Sequence, residues 1–156
     1  MAKVKTFTYS LSVFERMIFL NVYPQKGHYT TGLLYEALSK KLITDEERND
    51  IYQIKNLARC PKCETVGTFE NNESPPKCPK CDVPMEATGR ITWLQRDDDD
   101  NPIEQNKEIT IGEMANQTIT KALKELDEAE MLEPQHRSLY EKIVLGGKIP
   151  EIDILA

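Results

Sequence analysis

Histidine is nearly missing from this chain: two in 156 residues. That removes the usual general acid–base residue from most constellations, and with it most histidine-ligated metal sites. Cysteine is scarce too, with four copies, all of them between residues 60 and 81. No window approaches the ~20 consecutive apolar residues of a membrane helix. The opening MAKVKTFTYS is a charged, β-favouring run and lacks the apolar stretch of a secretory leader. The expectation is a cytoplasmic protein with no membrane partner, in a compartment that keeps thiols reduced, so that paired cysteines point to metal and not to disulfides.

Charge of one sign is short in the second half. Residues 1–59 carry nine Lys/Arg against six Asp/Glu, whereas residues 91–156 carry seven against fifteen, within a formal net charge of −6. Affinity for phosphate scales with the cations offered, so the whole molecule is a poor non-specific binder of duplex DNA. A local basic patch remains open to nucleic acid, and the acidic half to a basic protein partner.

What is present is concentrated in CPKCETVGTFENNESPPKCPKC, residues 60–81. Cys60, Cys63, Cys78 and Cys81 form two copies of one four-letter word, separated by fourteen residues. Two residues between cysteines let one tight turn offer both sulfurs to one ion, and zinc accepts four thiolates in a tetrahedron. Pro61 and Pro79 fix φ inside each turn and reduce the entropy lost on metal binding. Lys62 and Lys80 can offset the dianionic zinc–thiolate core. The spacer reads as a short hairpin, with TVGTFE as one arm, NNES as the turn and PPK as the return.

These features resemble a zinc ribbon over residues 58–88, KCPKCDVPME being similar to its second knuckle and following strand. Ribbons usually place Gly after the second cysteine of a knuckle, where φ is positive. Here Glu64 and Asp82 stand at those positions. Iron in a rubredoxin-like site is compatible with the same ligands. A dithiol redox pair is the rival reading, disfavoured by two copies at this spacing. A site made of four cysteines is coordinatively closed, which points to structure and not catalysis.

The rest of the chain reads as α+β. KVKTFTYSL alternates, with Phe7, Tyr9 and Leu11 on one side, as a strand does. Ser12 and Glu15 make a capping box for a helix with Phe14, Met17, Ile18 and Val22 inward, ended by Pro24. Thr30 and Thr31 offer caps for a second helix, striped by Leu34, Ala37, Leu38 and Lys41. Thr44 and Glu47 open a third through about Leu57, with Ile51 and Ile54 inward. RITWLQR and KEITIGE are expected as the arms of a β-hairpin. A long helix from Glu113 towards Glu130 has Met114, Ile119, Ala122, Leu123 and Leu126 as its face. Another follows Glu133–Pro134 and closes at Gly146–Gly147. KIPEIDILA reads as a docking strand or a fraying end. Residues 1–58 and 90–156 are expected to pack as one domain, a helical N-terminal half with the hairpin and C-terminal helices, from which residues 59–89 project as the inserted ribbon.

Other features are weaker. His28 reads as an ordinary turn residue and His136 as solvent-facing. DDDDNPIEQNKE places Asp97, Asp99, Asn101, Gln105 and Glu108 at calcium-loop positions 1, 3, 5, 9 and 12, but Pro102 occupies the glycine position. A solvated acidic hairpin tip is the plainer reading. TTGLLYEALSKKLITDEERNDIYQIKNL has the outline of a helix-turn-helix, yet its second helix would lead with DEERND, acids that face phosphates. Arg59, Lys62, Lys77, Lys80 and Arg90 cluster about the cysteine module as candidate nucleic-acid or partner contacts, diluted by Glu64, Glu70, Glu73, Asp82 and Glu86.

The flanks LSVFERMIFLNVYPQKG and KEITIGEMANQTITKALKELDEAEMLEPQHRSLYEKIV resemble the two ends of a group of uncharacterised small bacteriophage proteins. That resemblance covers about half the chain, implies a phage or prophage origin and host cytoplasm, and carries no activity across. The sequence thus points to a non-enzymatic zinc-binding interaction protein that docks on a host or phage protein. The alternative is a nucleic-acid-binding regulator.

Overall fold

A computed structural model describes residues 5–70, 73–148 and 150. The chain is α+β, with two small antiparallel sheets, and divides into two compact units: residues 1–44 with 104–156, and residues 45–103. The second unit is wider than the cysteine segment because flanking strands on both sides belong to its sheet. Asn71 and Asn72 of the expected NNES turn lie outside the described residues, as do residues 151–156 of the closing segment.

In the first unit, β1 (Thr6–Leu11) pairs antiparallel with β5 (Lys107–Gly112), setting Phe7 opposite Ile111 and Tyr9 opposite Ile109. The alternation seen in both segments is therefore real, but the expected hairpin is not formed. KEITIGE pairs with the N-terminal strand, while RITWLQR begins inside β4 (Glu86–Thr92) of the other sheet. Two alternating arms on either side of a polar loop do not specify each other; the strand facing each apolar side decides.

Helix α1 (Val13–Val22) starts at the expected capping box: Glu15 N–H donates to Ser12 Oγ at 3.1 Å, and Ser12 N–H to Glu15 Oε1 at 3.0 Å. Its buried stripe is Val13, Ile18 and Phe19, with Glu15 and Arg16, whereas Phe14 faces outward. Helix α2 (Tyr29–Leu42) is capped at His28 without a side-chain bond, so Thr30 and Thr31 lie inside it. Helix α3 (Glu113–Glu128) buries Ala115, Ile119 and Leu123 and leaves Met114 exposed. A short 3-10 turn (Pro134–His136) leads into α4 (Arg137–Ile143). His136 is buried, not solvent-facing, because its Nδ1 accepts the Glu133 N–H at 2.9 Å and closes the turn from within.

Two charged side chains organise this unit. Arg16 has no exposed surface; its Nε, Nη1 and Nη2 donate to the carbonyls of Ser12 (3.3 Å), Leu42 (3.1 Å) and Gln105 (2.9 Å). The Leu42 carbonyl belongs to the last turn of α2 and has no partner within its own helix. Arg16 thus ties α1, the end of α2 and the approach to β5 with one planar fork. Lys142 donates to Glu15 Oε1 at 2.6 Å and to the Ser10 carbonyl at 2.8 Å, fastening α4 to the β1–α1 junction.

The expected third helix is cut short. Residues 47–51 form one wide π-helical turn, Gln53 takes φ +48°, and β2 (Lys55–Arg59) follows. The would-be recognition helix of a helix-turn-helix is therefore reduced to residues 45–51. Local propensity allowed a helix through Leu57, but β2 is the central strand of the β3–β2–β4 sheet, with β3 at Val66–Phe69. Pairing on both edges outweighs a helical preference of a few tenths of a kcal/mol per residue. The partner of β3 is likewise β2, not the PPK return, which makes only the Lys77–Pro84 bridge.

Arg16→Leu strips the guanidinium from the Leu42 and Gln105 carbonyls, at about 1–3 kcal/mol each where water cannot replace it, while the Ser12 carbonyl keeps the backbone N–H of residue 16. We expect a loss of at least about 2 kcal/mol in urea unfolding followed by far-UV circular dichroism. A second expectation concerns acid. Burial alone would raise the Glu15 carboxyl, but the Lys142 bond, the Ser12 N–H and the Lys142 charge outweigh it and hold it below its ordinary value of 4.5. A depressed folded value stabilises the protein at neutral pH, and that increment fades as pH falls through and below 4.5. Stability measured against pH should drop there less steeply in Lys142→Met than in the unaltered protein.

Candidate metal centre

The centre is built by the three-stranded sheet. Along β2 the side chains alternate, so Ala58 faces inward, fully buried, and points the chain so that Cys60 enters the same side. Strand β3 turns Gly67 and Phe69 the same way. A Cβ on Gly67 would stand 3.1 Å from Met85 Sδ, so a larger residue there would push the Met85 thioether back by a few tenths of an ångström. Ala58, Cys60, Cys78 and Met85 form a buried cluster, with Phe69, Cys81 and Val83 packed against it. Two of its four buried members are thus thiols, in a unit with little other apolar core.

The two knuckles are hydrogen-bonded alike. In the first, Glu64 N–H donates to the Cys60 carbonyl (3.1 Å) and Cys60 N–H to the Thr65 carbonyl (2.9 Å). In the second, Asp82 N–H donates to the Cys78 carbonyl (2.8 Å) and Cys78 N–H to the Val83 carbonyl (2.8 Å). Glu64 and Asp82 adopt φ +64° and +54°, the left-handed conformation expected where ribbons carry glycine. The departure from glycine therefore adds strain without changing the turn. Arg59 Nη2 meets Glu64 Oε1 at 2.7 Å across the base of the first knuckle.

All four sulfurs lie within 4.8 Å of one another, and Cys63 and Cys78 are 3.4 Å apart. None is in a disulfide. Zn–S bonds of about 2.3 Å set sulfur pairs about 3.8 Å apart in a tetrahedron, so the donors have the spacing such an ion requires. Burial is graded: Cys60 and Cys78 are enclosed, Cys81 is half-buried and Cys63 is exposed.

The ionisation of the sulfurs is split. The Thr65 hydroxyl, 3.0 Å away, and the Thr65 N–H hold Cys63 down to about 6. Burial opposes ionisation of Cys78, but the N–H groups of Cys81 and Lys80 prevail and lower it. Cys81 is pushed up to about 12, first by its hydrogen bond to Cys63 and then by burial. Crowded thiolates cannot all ionise unaided, so some keep protons to bridge the others. A divalent cation replaces those protons and satisfies every sulfur together. The site can therefore hold a metal ion, and its donor chemistry favours zinc among the common ions.

The other predicted residues are distributed as follows. Arg59 and Arg90 line one shallow hollow on the outer sheet face with Leu57, Glu64, Val66 and Thr88. Lys62 and Lys80 are exposed within the knuckles, and Lys77 is exposed just before the second. Asp97 and Asp99 lie in a tight exposed turn with Asn101, where Asp97 Oδ1 accepts the N–H groups of Asp99 (3.0 Å) and Asn101 (2.9 Å). Glu108 sits in β5 opposite Ser10. Among the described residues, the four cysteines are the one group of three or more His, Cys, Asp or Glu placed to hold an ion. His28 is exposed at the start of α2. Thr65 and Met85 were not foreseen; a hydroxyl two residues past a knuckle cysteine was the available signal for the first.

A scan against protein-family models, a search of curated proteins and a search of solved structures each return no match for this chain. The likeness of the flanks to phage proteins rests on the quoted motifs alone. No helix of the described residues is long and apolar enough to cross a membrane.

One metal ion per chain should be found by elemental analysis of protein purified under reducing conditions. Cys78→Ser, which removes a buried ligand, should abolish it. Amide exchange in residues 55–92 should then accelerate by at least about a hundredfold, since structural zinc contributes about 10–16 kcal/mol of apparent binding energy, while α1 and α3 stay protected.

Proposed function

We propose that this is a non-enzymatic zinc-binding interaction protein, in which a zinc ribbon shapes a lobe that docks on a protein partner. One observation carries the reading: four cysteine sulfurs lie within 4.8 Å of one another, the number of thiolates that a tetrahedral zinc ion takes. Such an ion has no vacant position for a substrate or an activated water and acts through folding. Its chemistry is to hold two turns together, and with them the outer face of the sheet. On that face Val66 is 63% exposed beside Arg59 and Arg90, a mixed apolar and charged surface suited to a protein contact. The acidic second half offers a further surface for a basic partner. The likeness of the flanks to bacteriophage proteins suggests a phage or host protein as that partner, in host cytoplasm.

A nucleic-acid reading has one observation in its favour, the convergence of Arg59 and Arg90 on a single hollow. Against it stand the ion pair of Arg59 with Glu64 and the net charge of −6.

Affinity purification of the full chain from its native cells, with nuclease added, separates the two. A defined protein should co-purify in stoichiometric amount, survive nuclease and be lost on metal removal. Binding that disappears with nuclease, falls steeply with salt and fails in the Lys62→Gln, Lys77→Gln, Lys80→Gln triple variant would replace docking by nucleic-acid recognition.

A further inference from the structure

The four sulfurs are unequally shielded, and that inequality has a chemical consequence. Cys60 and Cys78 are each 1% exposed and Cys81 is half-buried, but Cys63 stands open to solvent. A dissolved oxidant therefore meets Cys63 first. The sulfur that Cys63 approaches belongs to the other knuckle: Cys78 Sγ, 3.4 Å away. A disulfide needs about 2.05 Å, so these two sulfurs stand little more than an ångström from bonding distance.

We propose that the metal centre is also a peroxide-sensitive switch, in which Cys63 takes the oxidant and Cys78 resolves it, joining the two knuckles and ejecting the metal. The inference rests on the metal reading above and names a regulation of that same site. In the first step the Cys63 thiolate attacks the outer oxygen of a hydroperoxide. The O–O bond breaks, an S–O bond forms, and the departing alkoxide or hydroxide takes a proton from water. Cys63 is then a sulfenic acid. In the second step the Cys78 thiolate attacks that sulfur, forms the S–S bond and displaces hydroxide, which is protonated to water. Two thiolates, one hydroperoxide and two protons give one disulfide, one alcohol or water, and one further water. Two electrons pass from sulfur to peroxide.

The metal loses two of its four ligands in this reaction. Cys60 and Cys81 alone do not retain zinc against water, so one ion leaves per disulfide. The new bond runs between the knuckles and not within either one. It keeps the two turns tethered after the ion has gone, which makes the change reversible by a dithiol and fresh zinc. A within-knuckle disulfide would instead leave the two turns free of each other. The outer sheet face, held by the centre, is the surface that such a switch loosens.

The test uses the full chain loaded with zinc, its content measured before any oxidant is added. Protein that carries no zinc at that stage overturns the metal reading itself. Loaded protein is then treated with hydrogen peroxide, with zinc release followed by a chromogenic chelator and sulfenic acid trapped by dimedone. Disulfides are mapped by mass spectrometry after alkylation. The expected results are a dimedone adduct on Cys63, a Cys63–Cys78 disulfide, one zinc released per disulfide, and recovery with dithiothreitol plus zinc. A first adduct on Cys81, a first disulfide of Cys60 with Cys63 or of Cys78 with Cys81, or zinc retained after Cys63 is oxidised each overturns the switch and leaves the metal reading standing.

Discussion

Four sulfurs held within 4.8 Å of one another cannot all carry charge unless a cation stands among them. The rest of the second unit depends on that constraint. Its buried cluster is Ala58, Cys60, Cys78 and Met85, so half of what should be core is ligand. Apolar burial on this scale, at roughly 25 cal/mol per Å², does not offset the ordering of a small module. A metal ion held there would supply the missing free energy and at the same time remove the repulsion that the knuckle geometry creates. The left-handed conformations at Glu64 and Asp82 are strain of the kind that persists only when the surrounding structure over-determines it. Here the paired hydrogen bonds of each knuckle do so.

The first unit solves its packing differently. It places a complete guanidinium in its interior and satisfies it with backbone carbonyls from three segments. Its second fastening, Lys142 to Glu15 and to the Ser10 carbonyl, joins residues more than a hundred positions apart. These contacts make the unit specific about which helix end meets which strand. The two units therefore rely on opposite chemistries, buried cation and hydrogen bonds in one, a cluster of sulfurs able to hold a metal in the other.

Much of this was legible in the chain and some was not. The capping box at Ser12 and Glu15, the strand at Phe7–Leu11 and the long helix from Glu113 are local devices, and local sequence specifies them. The cysteine cluster is legible for the same reason, since a ligand pair inside one tight turn is a short-range pattern. The strand at Lys55–Arg59 reads locally as helix because its identity comes from two neighbours, one on each edge. The partners of β4 and β5 are hidden in the sequence because alternation announces a strand and says nothing of its mate. The burial of His136 is hidden because it follows from a turn closed by its own ring nitrogen.

By itself, then, the sequence determined the α+β class, the ligands of the metal centre and the left-handed turns at its knuckles, all of which follow from neighbours a few residues apart. Only the tertiary structure decided which strands pair, that Arg16 is buried whole, and that Cys63 alone of the four cysteines is exposed. Those outcomes depend on which distant surfaces meet. Burial and strand pairing are properties of the assembled core, and no spacing along the chain encodes them.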